Sequence, residues 1–342
     1  MAKKNENGAA CPRVDIGGQA VLDGVMMKAP DAVAVAVRRP NGDIVVKREA
    51  YEAPSKKHPW MGLPFIRGSV NMVQMMALGM RVLEDSMKMS GNEEEEKPSK
   101  FEIWLAEKLG KNVDKVVMAV AVVLALVMSV GLFVLLPNLV IMLFPRNATG
   151  GTLLLKNLVS GLIRTVILIA YIGLVGRIPE MRKTFQYHGS EHKTVYCHEH
   201  NLPLTPKNAQ QFTTLHPRCG TSFLLLTFIL SIIFYSIIDV LVLQLTGFDL
   251  GGNYILRVLS RIILLPCVAG ISYEALKALA HAETPLTRAL RWPGLQMQRL
   301  TTRQPSDEQC EVAIASMNAA LHGLPEGETT PEGWVILHPA QA

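Results

Sequence analysis

Residues 116–144 contain no charged side chain, and this one run limits the possible folds more than any other feature of the chain. A helix needs about 20 apolar residues to cross the hydrocarbon core of a bilayer, so the run is long enough to span it. A composition of 49% hydrophobic and 18% charged residues agrees. Three further stretches qualify, at 152–176, 221–245 and 255–273. The expected fold class is mainly α: a polytopic membrane protein with about four transmembrane helices, plus a small N-terminal cytoplasmic α+β region containing a β-hairpin.

Orientation follows from the basic residues in the short connections, which are retained on the cytoplasmic side. The 177–220 segment carries Arg177, Arg182, Lys183, Lys193, Lys207 and Arg218, whereas 145–151 and 246–254 together carry only Arg146. The 177–220 loop is therefore expected to face the cytoplasm. Both termini then do so as well, in a multi-pass protein of the cell (plasma) membrane with an even number of spans. The expected organisation is 1–110 as a cytoplasmic N-terminal region, 111–280 as the membrane domain, and 281–342 as a C-terminal helix and loose tail. The start of the chain lacks the apolar core and cleavage site of a secretory signal.

Five scattered cysteines do not form a disulfide framework, and a reducing compartment suits them. The basic residues flank the apolar runs without interleaved aromatics, so nucleic acid is not an expected partner. The expected partners are the lipid bilayer and other membrane proteins.

Before the spans, β-branched runs at 32–37 and 43–47 flank Asn41-Gly42, a pair suited to a tight hairpin turn. Residues 16–27 are glycine-punctuated and apolar without clean periodicity, and do not match a phosphate loop. Ile66, Val70, Val73, Ala77, Met80, Leu83 and Met87 recur at helical spacing in a methionine-rich segment. This helix is expected to pack against the hairpin or the spans, with a docking surface as the alternative. The acidic run 93–96 reads as a solvated linker. Ser306 with Gln309 predicts a capping box that opens a helix running to about residue 321.

Ionisable groups at membrane depth are costly unless they face protein, water or a partner. Asp239 and Arg261 enter their spans from the same side and are expected to pair. Arg164 falls near mid-bilayer. It either lines a polar cavity or, with a later start to the second span, reaches the interface.

The segment most loaded with chemistry is His188-Gly189-Ser190-Glu191-His192. If helical, it puts both imidazoles on one face within reach of a single ion, with Glu191 as the candidate catalytic base. Gly189 argues against the helix by about 1 kcal/mol relative to Ala. His216 and Cys219 add two ligand types nearby, completing or flanking the site, and the set suits zinc or another divalent transition metal. A fully ligated His188, His192, His216, Cys219 site would be structural, because it leaves no open position. Arg218, between the last two, could hold a carboxylate or phosphate, or could simply be a topogenic charge.

The segments 14–27, 65–68, 187–194 and 216–223, with Glu311-Val312-Ala313-Ile314-Ala315, resemble the YqhQ-like family of bacterial membrane proteins of unknown function. That resemblance implies a predicted metal-dependent enzyme and supplies no substrate. Together these readings make the leading expectation a metal-dependent, hydrolytic membrane enzyme. The alternatives are a non-catalytic accessory or assembly factor for other membrane proteins, and a small transporter.

Overall fold

The computed structural model describes residues 16–90, 113–141, 143, 150–248, 250, 254–281 and 284–338. The expected acidic linker at 93–96 lies outside these residues, as do Cys11 and Arg146. The longer helices in chain order are α1 (Ile66–Ser90), α2 (Val113–Val130), α3 (Gly150–Val175), α4 (Pro179–Glu199), α5 (Gly220–Thr246), α6 (Tyr254–His281), α7 (Pro285–Thr301) and α8 (Asp307–His322). The strands are β1 (Gly17–Val21), β2 (Gly24–Lys28), β3 (Ala32–Arg38), β4 (Ile44–Ala50), β5 (Glu328–Thr329) and β6 (Val335–Leu337).

The strands form one antiparallel sheet in the order β1-β2-β3-β4-β6-β5. The expected hairpin is β3–β4, and Gly42 in its turn takes a φ of 94°, a region that glycine enters without steric cost. A second hairpin, β1–β2, occupies the glycine-punctuated stretch. It lacked an alternating signature because β2 is buried on both faces, so its residues read as a continuous apolar run. Along β3 the two-residue period is clear. Val33, Val35 and Val37 pack with Leu78, Val82 and Met89 of α1, while Ala34 and Ala36 turn to Val312, Ala313 and Met317 of α8. The small alanines let α8 approach closely enough for Ser316 Oγ to donate to Ala34 O at 3.0 Å.

The tail after α8, expected to be loose, instead supplies β5 and β6. Ile44, Val45 and Val46 pair with Leu337, Ile336 and Val335, so N- and C-terminal segments build one sheet. Trp334 and Leu337 are buried in its two opposite cores, and that apolar burial holds the short strand in place. Ser306 and Gln309 form the predicted capping box at the start of α8.

Four helical segments are long and apolar enough to cross a membrane: Val122–Ile141, Gly151–Val175, Gly220–Thr246 and Ile255–Leu279. Val127, Met128, Leu174 and Ile263 point outward at 63–64% exposure, as suits a lipid-facing surface. The first span contains a π-helical turn at Gly131–Leu135, just before Pro137, which has no backbone N–H and crowds the preceding turn. The N-terminal end of α1 docks on α6, where Gly68 meets Gly270 and the Arg67 guanidinium grips Glu274 at 2.5 and 2.7 Å. The methionine-rich helix thus joins the sheet to the spans.

Candidate metal centre

The segment between the second and third spans is largely helix: Ile178 caps α4 and Pro179 opens it, where a missing N–H costs nothing. His188 and His192 fall one turn apart on one face, with ring centroids 4.5 Å apart. Gly189, between them, is required by packing, since a Cβ there would overlap the carbonyl oxygen of Arg303. The chain after α7 lies so close to α4 that the helix can only carry glycine at this point. The cost in helix propensity is met by the contact it allows, including Arg303 N donating to Phe185 O at 2.8 Å.

Cys219 is the N-cap of α5, and its Sγ accepts from Thr221 N at 3.4 Å. It faces His188 Nε2 at 3.2 Å. The ligand atoms of His188, His192 and Cys219 all lie within 4.8 Å of one another. Each histidine is oriented through its other nitrogen. His188 Nδ1 donates to Thr301 O at 2.9 Å, and His192 Nδ1 donates to Thr214 O at 2.5 Å. That assignment puts the proton on Nδ1 and leaves both Nε2 lone pairs for a ligand, the arrangement that metal-binding imidazoles adopt. His192 Nε2 is buried and has no hydrogen-bond partner, as expected of a nitrogen built to coordinate. Two imidazoles and a thiol with mutually close donors suit zinc or a similar transition metal and leave a fourth position open.

Glu191 is 6% exposed, and its Oε2 stands 3.4 Å from His192 Nε2. Its side chain rests on β1, where Gly18 leaves room for it. The glycine-punctuated segment therefore shapes the site. Its role was not visible in the sequence, because the contact links residues far apart in the chain.

His216 is buried beside the trio, with its ring centroid 5.7 Å from that of His192, but its Nε2 turns to Glu199 at 3.3 Å. Burial pushes its pKa below the ordinary imidazole value, partly opposed by the charge of Glu191. It flanks the cluster. Arg218 forms an ion pair with Glu199, and His200 lies at the far end of α4, where its Nδ1 donates to Tyr196 O.

Two buried residues that sequence reasoning missed hold this frame. Gln298 of α7 accepts from His216 N and donates to His216 O and Ser222 Oγ, all at 2.7 Å. Lys193 donates to the carbonyls of Gln210 and Phe212 at 3.1 and 2.5 Å, and desolvation lowers its pKa. Both tie α4 or α7 to the 210–219 segment through main-chain groups, which leave no pattern in a sequence.

Arg164, Asp239 and Arg261 lie away from the cluster, within the candidate spans. Arg261 grips Asp239 at 2.5 and 2.8 Å, and Asn157 Nδ2 donates to the same carboxylate at 2.9 Å. Arg164 lines a cavity among the helices.

Residues 63–323 match the family described as "Protein of unknown function (DUF1385)". The chain is also 33% identical over 336 residues to "Uncharacterized protein YqhQ" of Bacillus subtilis (strain 168), covering 94% of this chain and 97% of that protein. No solved structure matches.

Proposed function

From the premise that this chain belongs to the DUF1385 family, whose description names no activity, we propose that it is a membrane-embedded, zinc-dependent enzyme of hydrolytic type. The observation that carries this reading is the convergence of His188 Nε2, His192 Nε2 and Cys219 Sγ, with both imidazoles oriented through Nδ1 by backbone carbonyls. When bound, zinc would supply Lewis acidity at the open position. Glu191 is the proton acceptor in this reading, its Oε2 beside His192 Nε2 and partly shielded from water by β1. His216, kept neutral by burial, and Gln298 hold the 216–219 turn that delivers Cys219.

The site faces the cytoplasm in this reading, because the basic residues concentrate at that end of the spans. The β4–β6 pairing supports an even number of crossings, since it joins the segments that precede and follow the spans in one sheet.

Elemental analysis of the detergent-purified chain beside its His188→Ala/His192→Ala variant tests the proposal. About one zinc per chain, lost in the double variant, is the expected result. Full metal content in the variant would overturn it.

A second reading, as an accessory factor for other membrane proteins, is favoured by one surface. Val73, Met76, Met80, Leu83 and Met87 of α1 are all at least 45% exposed and form an adaptable apolar stripe. Under that reading Met76→Lys abolishes co-purification of a partner and Glu191→Gln does not.

A further inference from the structure

The candidate spans enclose a cavity of about 330 Å³, at the lower end of the roughly 300–1,000 Å³ typical of small-molecule pockets. It reaches from the middle of the membrane domain toward the end opposite the His/Cys cluster. Arg257 and Asn157 are near the starts of their spans at that end, whereas Cys219 caps α5 at the other. Its polar lining includes three arginines, Arg164, Arg257 and Arg261, with Asn157, Ser160 and hydroxyl-bearing residues of α5, and among the described residues it includes no carboxylate. Asp239 sits fully buried behind Arg261, which grips it in a two-pronged pair. Arg257 donates to Asn157 Oδ1 at 2.7 Å, and that amide in turn donates to Asp239. The one carboxylate of this network is thus held by Arg261 and Asn157, and all three arginines belong to residues that line the cavity.

Positive charge at this depth is expensive, and Arg164, 13 residues into the 25-residue span Gly151–Val175, lies at its middle. A cavity with such a lining is complementary to an oxyanion, because planar guanidinium groups bind phosphate through paired N–H donors, most strongly where water is scarce. Ser160 Oγ, buried and without a hydrogen-bond partner, adds a polar group to the same lining. Phe133 and Val134 of the π-helical turn form one wall, so the distortion of the first span falls at the cavity.

We propose that this cavity binds a phosphate group, carried either by the headgroup of an anionic lipid or by free phosphate. The site is independent of the metal centre and stands whether or not zinc binds there. The test is native mass spectrometry of the delipidated full-length chain with dioleoyl phosphatidylglycerol, dioleoylglycerol or inorganic phosphate. The wild type retains phosphatidylglycerol and not dioleoylglycerol, and Arg164→Gln and Arg257→Gln each weaken retention by about tenfold or more. Displacement of the lipid by inorganic phosphate locates recognition in the phosphate itself. Retention of inorganic phosphate without the lipid assigns the site to the free anion. If the wild type retains neither, or holds dioleoylglycerol as well as phosphatidylglycerol, the proposal is overturned, and these outcomes do not depend on any variant folding. Unchanged retention in both folded arginine variants overturns it equally.

Discussion

Gly18 of β1 lies flush against Glu191 of α4: a Cβ added at Gly18 would meet Glu191 Cγ at 2.6 Å and the backbone oxygen of Met26 at 2.7 Å. The side chain alone cannot relieve this overlap, because one of the two neighbours is main chain. Gly18→Ala is therefore expected to destabilise the fold by about 1–3 kcal/mol. A fall in Tm is the expected outcome and, on the zinc reading proposed above, metal content stays unchanged, since none of His188, His192 and Cys219 is touched. An unaltered Tm would show that the strand shifts freely and that Gly18 does not constrain Glu191.

Asp239 is fully buried, and its carboxylate accepts from Arg261 and Asn157. Removing one charge from such a pair leaves the other buried without compensation, at a cost of about 3–5 kcal/mol. Asp239→Asn should thus lower thermal stability in detergent sharply, and Asp239→Asn/Arg261→Gln should recover part of the loss. Equal stabilities for the single and double variants would mean that the pair carries no coupling.

Burial depresses the His216 pKa below the roughly 6.5 of an unfolded histidine. Between the folded value and about 6.5 the unfolded chain binds more protons, so stability rises with pH across that window. The contribution is present above about 6.5 and is lost as pH falls through the folded value. Tm of metal-free protein, followed from about pH 7.5 to 5, should fall more steeply for wild type than for His216→Gln. Parallel curves would assign the acid sensitivity to other groups.

Much of this architecture can be read from local pattern. Long apolar runs, the first of them free of charge, mark the spans, Asn41-Gly42 marks the β3–β4 turn, Ser306 and Gln309 mark the start of α8, and the four-residue spacing of His188 and His192 puts them on one helical face. Long-range contacts hid the rest. The doubly buried β2 shows no alternation, and β6 is a three-residue strand whose partner lies nearly 300 positions away. At the site, the acceptors that orient the imidazoles are the carbonyls of Thr301 and Thr214, which any residue type could supply. Gly189 reads locally as a helix breaker, and only the approach of Arg303 explains it.

The β4–β6 pairing also imposes an order of events on biosynthesis. Because the chain emerges from its N-terminus, β1 to β4 are made before any span, yet the helix that covers Ala34 and Ala36 and the strand that borders β4 come only after the last one. Until then the N-terminal strands present an apolar face and an unpaired edge, both open to aggregation. The nascent protein therefore either shields that half-sheet during insertion or holds it unfolded. The sheet is completed only when the last strands of the chain return to the first.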